Sequence, residues 1–360
     1  MKRLFVSDCE GPISKNDNAF ELSKNFIPNG DRLFSNISKY DDVLVDIVRK
    51  PGYTAGSTLK LILPFFKAYG ITDQQMEAFS EQNIFLIANS RFTLNHVKQI
   101  AESYIVSTSY EHYIRALCKA IDFPFKNTYC TRLSIDNIAI TPQEKDQLRE
   151  IAQEIAQMRT IEILPGVTCI EDFSECDQTI LQRLDEIFWT EMPKMVVGKF
   201  LTDVITVGGE QKAESICDAV KKLDAKLEDV LYVGDSITDV EAFRLVRENG
   251  GLSISFNGNC YAVRAAEVVV QSKSNLITGA IADIFCKRGK KQVIKVIKNW
   301  SFEALNQAGL DENFFEQLVQ LYPDCLPKVQ IVTSKNMDSL INESSEFRKK
   351  VRGVNIGRLG

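Results

Sequence analysis

Histidine is scarce. Only His96 and His112 occur among 360 residues, so histidine triads and histidine-rich metal sites are poor expectations. Cys-x-x-Cys pairs are missing too. The nine cysteines stand at 9, 118, 130, 169, 176, 217, 260, 286 and 325, too scattered for a zinc knuckle. Their odd number, with no secretory leader, predicts reduced thiols in a cytoplasmic protein. No long apolar run is present. The most apolar stretch, LKLILPFFKAYG from Leu59 to Gly70, is broken by Lys60, Pro64 and Lys67 and is too short to span a bilayer. A large excess of one charge is also lacking. The formal net charge of −5 favours neither nucleic acid nor an anionic membrane as a partner. Internal repeats and low-complexity tracts are absent.

What remains is ordinary globular composition, 44% hydrophobic and 25% charged. The length predicts two domains, or one large domain with insertions. Short β-like runs recur: RLFVS (3–7), SYIVS (103–107), RLSI (132–135), DVITV (203–207), VLYVG (230–234), LSISF (252–256) and EVVVQ (267–271). Several are apolar throughout, as suits parallel strands covered on both faces. Helical patterns such as HYIRALCKAI, AESICDAVKKL and TDVEAFRLVREN separate them. The alternation predicts a doubly wound, mainly parallel α/β sheet. Two segments break it, residues 14–90 and 141–200, and both read as helical insertions. The second opens with Thr141, Pro142 and Glu144 in a capping-box pattern. The core is thus expected from 1–13, 91–140 and 201–285. From residue 286 a basic extension follows, predicted helical; its KRGKKQVIKVIK stretch reads as a solvated helix face.

The first apolar run leads straight into Asp8-Cys9-Glu10-Gly11-Pro12. Two carboxylates at a strand end repel each other unless something positive sits between them. In a parallel α/β fold the carboxyl ends of strands converge on the ligand crevice. Asp8 lies at one such end, Asp235 in LYVGDSITD at another, with Asp239 one turn later. Ser107 closes SYIVS, and Lys212 begins a helix after the Gly208-Gly209 turn. Three carboxylates, a lysine and a hydroxyl suit Mg²⁺ and a phosphoryl group, because the metal prefers oxygen ligands and the lysine answers phosphate charge. Taken singly each motif has a plainer reading: a strand cap at Asp8, an N-cap at Thr238, a solvated lysine at Lys212. Joint occurrence in order is what favours chemistry.

At this point DCEGP, SYIVS-TS, Lys212 and GDSITD resemble motifs one to four of the haloacid dehalogenase (HAD) phosphohydrolases. The Lys212-to-Asp235 spacing and SFNGNCYAVRAAEVVVQS are similar to the phosphoserine-phosphatase branch. Within the superfamily the chain is most similar to an archaeal group named for subunit R of energy-converting hydrogenase A. The resemblance covers the sheet domain and leaves out the insertions and tail. It implies a Rossmann-like core with a cap and an Mg²⁺ cofactor. Asp8 would be the nucleophile forming an aspartyl-phosphate, and Glu10 the general acid and base. Asp8, Asp235 and the Glu10 carbonyl would be metal ligands. Asp239 would orient Lys212 or a metal-bound water. Ser107, Thr108, Lys212 and Asn257 would border the phosphate. The large cap implies a small phosphorylated metabolite as substrate. Glu10 and Pro12 depart from the usual Asp and Thr or Val, which keeps two alternatives open. One is phosphotransfer to an alcohol. The other is a catalytically quiet accessory or assembly protein binding a protein partner through its tail. Arg91 reads as a surface residue, and Cys9 as pointing into the fold.

Overall fold

In the computed structural model, residues 3–164, 166–357 and 359 are described. Seven strands make one sheet: β1 (Leu4–Ser7), β2 (Glu102–Tyr110), β3 (Thr128–Thr131), β4 (Val230–Gly234), β5 (Leu252–Phe256), β6 (Val268–Gln271) and β7 (Lys328–Ile331). Their order is β3-β2-β1-β4-β5-β6-β7. Every pairing is parallel except β6 with β7. This is the expected α/β class. The chain's first strand lies centrally, and the order reverses between β1 and β4. In open α/β sheets a ligand crevice lies beyond the carboxyl ends of the strands at such a reversal.

β1 and β4 are buried along their whole length, which accounts for their unbroken apolar patterns. One face of the sheet packs Phe5, Leu231 and Ile254 against helices that include Leu276–Arg288. The other packs Val6 and Tyr232 with Ile216 and Phe243 of the helices Glu210–Lys222 and Val240–Glu248. The two insertions share a single apolar cluster. Phe34, Ile37 and Phe65 of the first meet Leu148, Ile151 and Phe188 of the second. They form one helical layer rather than two satellites. The Thr141 cap is present, with its hydroxyl accepting from Glu144 N at 3.2 Å.

Three expectations are corrected. RLSI is not a strand; β3 lies just before it, as a short edge strand of mixed Thr, Tyr and Cys. DVITV pairs with no strand. It begins in the end of the helix Gly198–Asp203 and continues as extended chain, with Ile205 exposed and Thr206 buried. Its Val207 N–H is met by Thr131 Oγ1 at 3.1 Å instead of a ladder partner. The tail is not purely helical: it contributes β7, and its long helix Met337–Arg352 packs onto the core through Leu340, Ser344 and Arg348. The basic stretch behaves as expected, with Val293, Val296 and Ile297 inward on the helix Lys290–Lys298. Cys9 is buried in the core and Arg91 is exposed. Among the described residues no helix is long and apolar enough to cross a membrane.

Candidate active site

Asp8 follows β1 directly, and its N–H donates to the Val233 carbonyl at 2.8 Å, so β4 fixes where the chain leaves the sheet. One carboxylate oxygen accepts from Cys9 N at 2.6 Å and the other lies 2.9 Å from Lys212 Nζ. Lys212 comes from the helix Glu210–Lys222 and is fully buried. Its ammonium also lies 2.7 Å from Asp239 Oδ1. Asp239 accepts from the Tyr232 hydroxyl at 2.6 Å and, through Oδ2, from the N–H groups of Asp235 and Ser236 at 2.8 and 2.9 Å. Asp239 is therefore spent on orienting Lys212 and the turn after β4. Gly234 is required by that turn, since a Cβ there would lie 2.4 Å from Asp239 Cγ.

Asp235 sits beside Asp8 across a close approach of backbone. Gly11 has φ +110°, and a Cβ on it would fall 2.1 Å from Asp235 Oδ2. The same oxygen is met by two guanidinium groups from the tail helix. Arg348 pairs with it through Nη1, and Arg352 Nη1 lies at 3.0 Å. Arg348 Nη1 also reaches the Asp235 carbonyl at 3.2 Å. Neither arginine is predicted from the sequence. The available signal is the four-residue spacing of Leu340, Ser344, Arg348 and Arg352, which puts an arginine pair on the helix's buried face.

These groups open into a cavity of about 100 Å³. The sheet side supplies Asp8, Glu10, Ser107, Thr108, Ser109 and Asp235; the insertion supplies Phe34, Ser38, Asp41, Asp42 and Thr58. Ser107 Oγ is 3.0 Å from Ser109 Oγ and accepts from Ser109 N at 3.2 Å. Thr108 Oγ1 is buried without a partner, a hydroxyl free to serve a ligand. Glu10 accepts from Asn18 N at 2.6 Å. Asn257 is not brought into the cavity. Its amide exchanges hydrogen bonds with Ser272, at 2.8 and 2.9 Å, which locks the loop between β5 and β6.

The electrostatics are unbalanced. Seven carboxylates, of Asp8, Glu10, Asp17, Asp41, Asp42, Asp235 and Asp239, line the cavity or lie just behind it, against Lys212, Arg348 and Arg352, with Lys39 pairing Asp42. Burial pushes Asp8 up to about 7, with Lys212 opposing and Asp239 and Asp235 adding to the rise. Burial, and then the charge of Asp17, raises Glu10 well above the usual carboxylate range. Asp239 moves the other way: burial disfavours its charge, but Lys212 outweighs it and holds the carboxyl low. Asp8, Asp235 and Asp239 offer oxygens within 4.8 Å of one another. Hard oxygen donors with excess negative charge suit a divalent cation such as Mg²⁺. Asp8 and Asp235 line the cavity and Asp239 does not, so the donors that face a cation there are Asp8 and Asp235. Every described hydrogen bond to the Asp235 carboxylate falls on Oδ2, leaving Oδ1 open. The Glu10 carboxylate is outside this cluster.

No family model and no curated protein matches the chain. Among solved structures, gene product AF1437 from Archaeoglobus fulgidus is similar end to end. Its TM-score is 0.81 at 27% identity, covering 100% of this chain and 99% of that one. An apo phosphoserine phosphatase gives 0.42 at 12% identity, covering 76% of this chain and 96% of that one. A phosphoserine phosphohydrolase-like protein from Francisella tularensis gives 0.43 at 12%, covering 77% and 99%.

Proposed function

We propose that this chain is a magnesium-dependent phosphomonoester hydrolase of the HAD type, acting through Asp8 on a small phosphorylated metabolite. The observation that carries the reading is the buried line Asp8–Lys212–Asp239 at the sheet's reversal point, with Asp235 alongside. A lysine costs much to bury, and here two acids fix its ammonium where a phosphoryl group would meet Asp8. Asp8 and Asp235 would hold magnesium, whose charge would offset the repulsion between the acids and the phosphoryl oxygens.

In this reading an Asp8 oxygen bonds to phosphorus as the ester P–O bond breaks. Glu10, whose hold on a proton burial strengthens, gives its proton to the departing alkoxide. A water then attacks the aspartyl-phosphate, Glu10 recovers a proton from it, and phosphate leaves. Lys212, Ser107 and Thr108 hold the phosphoryl oxygens through both steps. The insertion walls one side of a cavity of about 100 Å³, so the substrate is small. All nine cysteines are unpaired, as a reducing cytoplasm predicts. The resemblance to the group named for hydrogenase subunit R adds no chemistry to this reading.

The test is a magnesium-dependent screen over phosphorylated metabolites, run beside Asp8→Asn. Phosphate release by the wild type and none by the variant is expected; equal release by both would overturn Asp8 as the nucleophile. One observation favours a second reading, a quiet scaffold. The tail's guanidinium groups already occupy one oxygen of Asp235. That reading predicts no phosphate release from any ester in the screen.

A further inference from the structure

The tail helix Met337–Arg352 brings two arginines to one carboxylate, but they are employed differently. Arg352 is fully engaged. Nη1 lies 3.0 Å from Asp235 Oδ2, Nε donates to the Lys15 carbonyl at 3.1 Å, and Nη2 donates to the Asn16 carbonyl. It clamps the end of the chain to the segment after Glu10. Arg348 is 2% exposed and lines the cavity. Its Nη1 is held by Asp235, while its Nε is buried with no partner and no described residue accepts from Nη2. Among the described residues Asp235 is the one carboxylate paired with Arg348, with Asp17 near by, and it is shared with a second guanidinium, so the buried charge is under-compensated. The side with the spare donors is the one such a cation turns to a planar oxyanion.

We infer that Arg348 is an anion-binding residue of this cavity, its Nε and Nη2 donors taking an oxyanion of the substrate. It would be a specificity-determining group supplied from the far end of the chain. The inference rests on reading the cavity as a phosphoryl-transfer site. Two sources share the chemistry, the phosphoryl group itself and a carboxylate on the leaving group.

The experiment is calorimetric titration of the full chain, in magnesium buffer, with inorganic phosphate and separately with glycolate. Arg348→Gln is expected to weaken binding about ten- to a hundredfold, the worth of hydrogen bonds to a charged group. Arg348→Lys, which keeps the charge but not the fork, is expected to recover only part, and it serves if the glutamine variant does not fold. Lys350→Gln removes a charge from the exposed face of the same helix and should leave both affinities unchanged. Loss for phosphate assigns the phosphoryl group to Arg348; loss confined to glycolate assigns a leaving-group carboxylate. Unchanged affinity for both anions in Arg348→Gln, or in Arg348→Lys if only that variant folds, would overturn the inference. Equal weakening by Lys350→Gln would also overturn it. Anion binding through Arg348 without phosphate release would keep the inference and remove the hydrolase. Release with an unaltered anion affinity would do the reverse.

Discussion

Replacing Lys212 with methionine tests whether the buried charge line has the energetics ascribed to it. Methionine roughly matches the length of the lysine stem, so the packing loss is small and the charge loss dominates. Lys212 Nζ lies 2.9 Å from Asp8 and 2.7 Å from Asp239, and its side chain is 0% exposed. At an effective dielectric of about 20, each contact is worth about 6 kcal/mol gross. Burying the ammonium cancels most of that in the wild type. Its removal leaves two carboxylates facing each other in a dry site, and breaking such a pair typically costs about 3–5 kcal/mol. The loss should be greatest at neutral pH. It should shrink in acid, where Asp8 and Asp239 take up protons and no longer need a cation. The assay is urea unfolding of both proteins at pH 7.5 and 5, with chelator present. A loss under about 1 kcal/mol at pH 7.5, or one that does not change between the two pH values, would refute the reasoning. Any phosphatase activity should fall about a hundred- to a thousandfold as well, because a preorganised donor to the phosphoryl group is gone.

Two other substitutions probe the walls of the site. Burial raises Asp41 from 3.8 to about 6, although Thr58 donates to its Oδ2 through both N–H and hydroxyl. A raised folded value favours folding below about pH 4 and loses that benefit as pH rises through about 6. The ionised acid then costs up to about 3 kcal/mol. Asp41→Asn should therefore gain on the wild type between pH 4 and 7 in urea midpoints; a gain that grows toward acid would contradict the assignment. Gly11→Ala should cost about 3 kcal/mol or more, because φ is +110° and the new Cβ would sit 2.1 Å from Asp235 Oδ2. Unfolding within 1 kcal/mol of wild type would show that the Gly11 turn can move away from Asp235.

The parts of the fold that read clearly are those where pattern and environment agree. VLYVG and LSISF are β4 and β5 to the residue: β4 is apolar on both faces, and β5 alternates Leu252, Ile254 and Phe256 with two small buried serines. The failures are at the margins. β3 and β7 are four-residue edge strands with weak patterns, and DVITV has strand composition without a strand to pair with. The site divides in the same way. Asp8, Lys212, Asp235 and Asp239 follow strand ends or open helices in a recognisable order, and the structure brings them together. Arg348 and Arg352 lie in FRKKVR, a basic run that carries no motif. Only the tertiary position of that helix turns one face of the run inward. Asn257 shows the opposite error, a motif position whose side chain the local loop consumes.

The charged groups of the cavity depend on one another in a way that links the two ends of the chain. Lys212 is tolerable in the core only because Asp8 and Asp239 flank it. Arg348 is tolerable because Asp235 meets it, and the Gly11 turn that follows Asp8 lies close against Asp235. Arg352 then ties the tail to the carbonyls of Lys15 and Asn16, just beyond that turn. Docking of the last helix and the geometry of the first motif are thus parts of one electrostatic unit. Because the arginines use only Oδ2 of Asp235, a cation at Oδ1 and the tail at Oδ2 can share the carboxylate while each draws on the same negative charge. On the proposed magnesium reading, such sharing would link metal affinity and tail docking thermodynamically, each altering the other by the same factor.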